Sequence, residues 1–557
     1  MFFTLAVSAR TPEGCTVLTD RALAVDPSVM PMPGPASVTW RSPDGRAALL
    51  HWGNAGSGLG SGSGLGSGSG LGSGSGGAAV TSRAGTISTG PGAGGPHAQA
   101  GRTPVVARTS VTRIDPVYLA EVPGAAIVAD RATWAAWTAS RLDDHDPLHV
   151  CALLNSGFPL GSVTPFAGVA AVAPSTTLHL LDGAVTRPAT ALHEGSAHGA
   201  RSVAEALTAA VLPLRDAGTP VQLSLTGGKD SRLIAAALVK AGVPVVAKTH
   251  GFADHPDVVV AAEIARRLGI EHVVRTPAAP GQRVDVLARI RATVLVADGM
   301  LSAFENVGRP DPAASPALTA GGHGGELLRG GYAETAGRAG ARGGLRAVLS
   351  PARRAARSAE LLRRLTTKHL GLARRGPAAA YAASLAPWSA QVALHPLRAL
   401  DDFYLVNRAG RWSAAARQAY LLRERLAQPL FDDRVVLAAR AVPLADRVSG
   451  VLPAAVLAEL NPALSDVPLA GKPAAATAPF DWRRQYGESV TTFLRGYILD
   501  LGFTGGLFEV LSQPTVEKLL TPPHADRATV WALATAACLF SGDYRKAREK
   551  TPHLTVA

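Results

Sequence analysis

Thr226-Gly227-Gly228-Lys229-Asp230-Ser231 is the stretch of this 557-residue sequence in which residue type and spacing come closest to chemistry. Val221, Leu223 and Leu225 alternate with Gln222 and Ser224 as one face of a strand does. Leu233, Ile234, Ala237 and Leu238 then recur at helical spacing until Gly242 supplies a stop. A strand, a turn with two glycines and a helix N-terminus make a loop whose backbone N–H groups can converge on phosphate oxygens, helped by the positive end of the helix dipole. The same glycine pair can instead serve only the tight turn. The loop is not a Walker loop, since no GxxxxGK[ST] occurs in the chain.

The elements that must position this loop follow from size and composition. The length allows two or more domains with substantial cores. Cys15, Cys151 and Cys538 have no CxxC spacing, which argues against a disulfide framework or zinc site and suits a reducing compartment. No basic leader precedes the apolar start, and no apolar run reaches membrane-spanning length, so a soluble cytoplasmic protein is expected. The net charge of +13 favours anionic partners only weakly. No aromatic residues interleave a basic strip as nucleic-acid stacking requires, and no nucleic acid is expected as a partner.

Along the chain, the apolar stretches at Phe2–Val7, Ala22–Val25, Ala47–Leu50, Ala125–Asp130, Leu148–Leu154, Phe166–Val172 and Leu178–Leu181 read as strands of a β-rich region, residues 1–195. Residues 54–102 interrupt it with three LGSGSG repeats and further Gly-rich sequence. This segment has too little apolar surface to offset its ordering entropy and is expected to be a disordered insertion. Residues 196–557 form the second domain. It begins with a helix over Ser202–Ala217, the loop strand, a strand at Val243–Lys248, a helix at Pro256–Leu268 and a strand at Glu271–Val274, an alternation that implies a parallel sheet. Helical patterns then dominate, at Pro351–Arg375, Trp412–Leu426, Arg434–Ala441 and Ala525–Phe540. The arginines of the first of these read as a solvated face.

Several separate pieces carry a family resemblance. The TGGKDS loop is similar to the SGGxDS pyrophosphate loop of the ATP-pyrophosphatase superfamily. Thr319–Tyr332, TAGGHGGELLRGGY, resembles the SGxGGDELFGGY of the asparagine synthetase superfamily. Pro429-Leu430-Phe431-Asp432 resembles its PFLD, and Lys472 lies where that family carries a lysine near the C-terminal end. Asn155-Ser156-Gly157 and Pro174 resemble parts of its glutaminase-like domain. The resemblance implies an α+β, β-rich glutaminase-like domain followed by an α/β parallel-sheet synthetase domain with a helical C-terminal part. Glutamine-hydrolysing members need a cysteine directly after the initiator methionine, whose thiolate attacks the amide. Phe2 stands there, so a nucleophile other than ammonia is implied. Asp254–Val260 and Ala262–Gly269 add a likeness to lasso-peptide cyclases.

The resemblance also implies site residues. Ser224, Leu225, Thr226, Gly227, Gly228, Ser231 and Gly322 would surround the ATP, Thr226 and Ser231 as hydroxyl donors. Lys229 and Arg232 would be further nucleotide contacts. Asp230 and Glu326 would hold Mg²⁺, although Asp230 also suits a helix N-cap. Lys472 would stabilise charge on the α-phosphate. His323 would take the proton of the attacking amine, with Glu305 an alternative base. The implied enzyme is an ATP-dependent, AMP-forming ligase that closes a macrolactam in a precursor peptide, alongside a leader-recognition protein and a leader protease. A small-molecule amide ligase of the β-lactam synthetase or asparagine synthetase type, or an inactive scaffold, is the alternative.

Overall fold

The computed structural model describes residues 3–9, 11–24, 36–41, 46–52, 79–82, 85–89, 105–181, 184–186, 199–276, 283–307, 317–338, 351–422, 425–471, 488–521, 526–547 and 554–555. The boundary expected near residue 195 lies outside them, as do Phe2, the LGSGSG repeats and Lys472.

The N-terminal strands are β1 (Phe3–Ala9), β2 (Ala36–Arg41), β3 (Ala47–Trp52), β4 (Ala79–Ser82), β5 (Gly85–Thr89), β6 (Val105–Arg108), β7 (Tyr118–Val122), β8 (Ala125–Ala129), β9 (Val169–Ala171), β10 (Thr177–Leu181) and β11 (Ala184–Thr186). They form two antiparallel sheets, β2-β3-β1-β8-β7-β9 and β11-β10-β6-β5-β4. The two-residue period of a strand explains how both faces of β8 are buried. Ala126 and Val128 pack towards Leu178 and Leu180 of the second sheet, and Ala125, Ile127 and Ala129 towards Cys15, Leu18 and Trp134 of the helices α1 (Pro12–Leu23) and α2 (Ala132–Thr138).

Three expectations change here. The apolar run Leu148–Leu154 is not a strand but the middle of α3 (Pro147–Ser156). Asp146 accepts from Leu148 N–H at 2.8 Å, Pro147 fills the first turn, and Gly157 closes the helix at φ +83°. Ala22 likewise lies in α1, which Thr11 caps. Within residues 54–102, β4 and β5 pair with each other and β5 pairs with β6, so part of the expected unstructured insertion is sheet.

The second half begins with α4 (Ala200–Val211) and continues as β12 (Val221–Ser224), α5 (Lys229–Lys240), β13 (Val245–His250), α6 (Pro256–Leu268) and β14 (Glu271–Arg275). After the two-residue β15 (Arg283–Val284), which pairs with β18 (Leu554–Thr555), come β16 (Leu318–Ala320) and β17 (Arg425–Ala427). The five-stranded sheet is parallel, in the order β14-β13-β12-β16-β17. Leu426, expected in a helix, is in β17; the helix before it ends at Leu421. From β12 the chain steps outward to β14, then returns to β12's other side for β16. The sheet therefore has its topological switch point between β12 and β16, where crevices form at strand C-terminal ends.

Val221, Leu223 and Leu225 bury one strand face against Leu233, Ile234 and Leu238 of α5 and Leu207 of α4. On the helix Pro351–Thr366, Arg363 and Arg364 are exposed and both pair with Glu360, a solvated face over buried Leu362. The N-terminal part and the later helices share one core, in which Cys151 and Phe166 pack with Phe403 and Ala415. Buried polar ties cross between them. Arg131 holds Asp298 through Nε and Nη2 at 2.9 and 2.5 Å, and Arg417 pairs with Asp115 at 2.9 Å. Among the described residues no helix is long and apolar enough to cross a membrane.

His149 of α3 is wholly buried at this junction, with Nε2 3.1 Å from Gly299 O. Burial, with Arg411 and His145 adding to it, lowers its pKa from 6.5 to about 3. A depressed folded-state pKa means that the folded protein binds fewer protons than the unfolded chain. Stability is thus intact above the ordinary histidine pKa and is lost as pH falls from there towards the folded value, at up to about 1.4 kcal/mol per pH unit. His149→Gln is expected to flatten that slope between about pH 6 and pH 4. Urea unfolding across the window checks it, and parallel slopes for the two proteins would contradict it.

Candidate functional site

The loop after β12 is braced from within. Thr226 N–H donates to Ser231 Oγ at 3.1 Å, the Thr226 and Ser231 hydroxyls meet at 3.0 Å, and Gly228 N–H donates to Thr226 Oγ1 at 3.2 Å. Gly227 N–H donates to Asp257 Oδ1 at 2.9 Å, a carboxylate in the first turn of α6. Ser224 is exposed at the strand end, whereas Leu225 points into the core and offers the site only its backbone. Gly228 is the N-cap of α5 and no side chain caps the helix; Asp230 sits in the first turn and is not the cap.

Arg232, expected as a nucleotide contact, has its guanidinium bound to backbone carbonyls. Its buried guanidinium donates to four carbonyls, of Gly227 (3.0 Å), Gly228 (3.1 Å), Val467 (2.8 Å) and Pro468 (3.0 Å). A helix turns by 100° per residue, which carries the Arg232 side chain inward. It clamps the loop to the segment that leads to Lys472. Ala470 N–H donates to Gly227 O at 3.1 Å in the same junction, and the described chain stops at Gly471.

Opposite stands the loop after β16. A Cβ on Gly322 would lie 2.5 Å from Ser231 N, and one on Gly325 would lie 2.0 Å from Asp230 Cγ. Only glycine permits that approach. Gly324 turns left-handed, at φ +96°, over the edge of Phe431, so the Pro429–Phe431 turn is the wedge beneath this loop. Asp432, the last residue of that motif, caps the next helix and pairs with Arg434 at 2.8 Å. His323 is exposed on the loop between Gly322 and Gly324. Glu305 lies in a separate turn packed on the helix Arg527–Phe540.

The structure brings Asp230 and Glu326 to one guanidinium. Arg329 Nη1 is 2.5 Å from Asp230 Oδ1, its Nη2 is 4.0 Å from Glu326 Oε1, and its Nε is 3.0 Å from Glu334 Oε2. Tyr404 Oη donates to Glu326 Oε2 at 3.1 Å. Burial pushes the Asp230 carboxyl above its ordinary range; Arg329 pulls it down, and Glu326 and Glu334 push it up again. Burial works against the charge on Arg329, but Asp230 and Glu334 outweigh it and hold the guanidinium above its ordinary range. Burial, and then Glu326, raises the Tyr404 hydroxyl.

Arg329, Glu334 and Tyr404 had not been singled out in the sequence. The three-residue interval from Glu326 to Arg329 is a weak signal for the first, and nothing local announces Tyr404. Arg447 is a further support: wholly buried and paired with Asp401 at 2.7 Å, it donates to Leu327 O at 3.3 Å and fixes the turn that carries Glu326.

Among the described residues no group of three or more His, Cys, Asp or Glu is placed to hold a metal. Magnesium commonly takes one or two carboxylates with the remainder from phosphates and water, and Asp230 and Glu326 fit that pattern. A separate cleft of 590 Å³ lies between residues 108–115 and 427–434, lined among others by Arg108, Ser110, Gln428 and Arg434. It does not include the TGGKDS loop and meets the facing loop only through Phe431, which lines the cleft and packs on Gly324.

Residues 202–452 match the family model described as asparagine synthase. The matched span contains β12, both glycine loops and the Pro429–Asp432 turn, and ends before Lys472. No curated protein matched the chain.

The interlock of the loops gives a direct test. Gly325→Ala forces a methyl into the Asp230 carboxylate and is expected to cost about 1–3 kcal/mol. Gly496, in the helix Glu488–Thr504, has nothing within 4 Å of its Cβ position, and Gly496→Ala is expected to stabilise by about 0.5–1 kcal/mol. Chemical denaturation of both variants decides; equal effects would mean that the loops are not pressed together.

Proposed function

We propose that this asparagine-synthase-like domain activates a carboxylate with ATP and joins it to an amine of the same substrate, closing a macrolactam in a peptide in the manner of lasso-peptide cyclases. The observation that carries the reading is the meeting of two glycine loops at the switch point of a parallel sheet. One precedes a helix that no side chain caps, and the other carries a second carboxylate to the first turn of that helix. Uncapped first-turn N–H groups and the helix dipole favour phosphate there.

In the proposed chemistry a substrate carboxylate oxygen attacks the α-phosphorus of ATP. The bond to the pyrophosphate oxygen breaks, and pyrophosphate leaves. The amine nitrogen then attacks the acyl carbon, the C–O bond to AMP breaks, and a base takes the amine proton. His323, exposed on the facing loop, is suited to that proton by type and place. Asp230 and Glu326 would hold Mg²⁺, whose charge offsets that of the phosphates. Lys472 follows directly on the segment that Arg232 and Ala470 dock against the loop, which supports its proposed place at the α-phosphate.

The choice of amine rests on the thiols. Cys15, Cys151 and Cys538 are all buried, and burial raises Cys151 to about 11 and Cys538 beyond that range. Release of ammonia from glutamine needs an accessible thiolate, which none of the three supplies. A leader-recognition protein and a leader protease would present the peptide.

Pyrophosphate release from ATP and Mg²⁺ is expected to depend on the peptide, to fall at least about 100-fold in Asp230→Ala and in Lys472→Ala, and to accompany loss of one water from the peptide by mass spectrometry. Release with a free amino acid and ammonia but no peptide would select a small-molecule ligase. Absence of release with every substrate and the partner proteins present would overturn the reading.

A further inference from the structure

The cleft between residues 108–115 and 427–434 has no part in the chemistry above, and its 590 Å³ is the size of a small-ligand site. One wall comes from the end of β6 and the segment after it, the other from the Pro429–Phe431 turn and the helix Asp433–Ala441. Arg417 is taken by Asp115 at 2.9 Å and Arg434 by Asp432 at 2.8 Å, so these four charges cancel in pairs. Arg108 and Asp433 remain, on opposite walls. Among the described residues the Arg108 guanidinium has no ion-pair or hydrogen-bond partner, and Asp433 has no cation paired with it; its Oδ1 accepts Val111 N–H at 2.8 Å. Burial raises the Asp433 carboxyl above its ordinary range, and Arg108 is near enough to pull against it without pairing with it. Ser110, beyond Arg108 on the same wall, has a buried hydroxyl with no hydrogen-bond partner. A buried hydroxyl left unpaired is uncommon, and one that lines a cleft is open to a partner that enters it.

We propose that this cleft binds a short apolar peptide with free ends, of which a single amino acid is the smallest case, its carboxylate on Arg108 and its ammonium on Asp433. One unpaired cation and one unpaired anion on facing walls call for a ligand that carries both charges. A simple anion such as phosphate would answer Arg108 and leave the Asp433 carboxylate buried without a cation, and a metal ion would do the reverse. A guanidinium receives a carboxylate through two parallel N–H bonds, and Ser110 offers the peptide backbone a further hydrogen bond. Ile114, Leu214 and Phe431 supply the apolar side against which the body of the ligand packs. Phe431 also lies beneath Gly324, so an occupant of the cleft bears on the wedge under the facing glycine loop. No residue of the TGGKDS loop lines the cleft, and its occupancy does not require that the loop hold a nucleotide.

The measurement is isothermal titration calorimetry of the full chain with leucine, dileucine and trileucine, with the N-acetylated and C-amidated forms of dileucine, and with inorganic phosphate. Wild type, Arg108→Gln and Asp433→Asn are compared, with thermal unfolding of each as a check on folding. Arg108 is exposed, and an asparagine at position 433 can still accept from Val111 N–H. Dileucine is expected to bind wild type saturably, and either cap to weaken it about tenfold or more. The two losses are expected to follow the two residues. In Arg108→Gln amidation no longer matters while acetylation still does, and in Asp433→Asn the reverse holds. Should Asp433→Asn not fold, Arg108→Gln with the two capped peptides decides alone. If leucine and both peptides fail to bind, if the capped forms bind as well as the free one, or if phosphate binds equally well through Arg108 alone, the proposal is overturned.

Discussion

Everything near the site depends on the contact between Gly322 and Gly325 and the first turn of α5. Two strands that are neighbours in a parallel sheet lie only about 4.8 Å apart. The loops that leave their C-terminal ends must either part or interlock. Here they interlock, because the positions that meet Asp230 and Ser231 have no side chains. Parts of the helical region exist to hold the second loop in that position. Phe431 lies beneath Gly324, Tyr404 lies against Gly331 and hydrogen-bonds Glu326, and Arg447 takes the carbonyl of Leu327. A loop fixed on three sides is pre-organised, which is what an electrostatic site requires.

The arginines show how the excess positive charge is used. Arg113, Arg131, Arg411 and Arg447 are among the largest wholly buried side chains of the described residues, and Arg232 is nearly so. Arg113 donates to the carbonyls of Gly410, Val172 and Val406, as Arg232 does to four others. A guanidinium with five donors satisfies several loop carbonyls at once, where a lysine would serve one direction at a time. A net charge of +13 would, on the surface, attract polyanions. Part of it instead fastens irregular backbone that has no ladder of its own.

What was legible in the sequence divides along the same line. The strand, glycine turn and helix at Val221–Leu238 were legible because period two gives way to period 3.6 within a few residues, and the α6 boundaries Pro256 and Leu268 because a proline opens the helix and Gly269 closes it. Leu148–Leu154 misled because an apolar run of that length suits a buried strand and a buried helix equally; Asp146-Pro147 before it was the better guide. The side-chain directions of Arg232 and Arg329 were not legible. The first sits next to the motif yet turns inward, and the second sits three residues past Glu326 yet reaches Asp230, 99 positions away in the chain. Direction of a side chain around a helix, and contacts between loops of different strands, are tertiary facts that spacing along one segment does not carry.

The N-terminal part then acquires a physical reason for its place. Strand β8 buries both faces, Cys15 and Cys151 are buried, and the described N-terminal residues reach the supports of the site through backbone and charge at residues 108–115. There Val111 N–H donates to Asp433 Oδ1 at 2.8 Å, Arg113 clamps the π-helical turn Tyr404–Ser413, and Asp115 neutralises Arg417. Two of these contacts fall on elements that support the Gly321–Arg329 loop, the helix after Phe431 and the turn that begins with Tyr404; the third falls on the helix leading to β17. Removing that wall would leave Asp433 and Arg417 with buried, unpaired charge and would free the supports of Gly324 and Glu326 together. The described β-rich part therefore shapes the candidate site of its neighbour, by fixing the elements that press one glycine loop against the other.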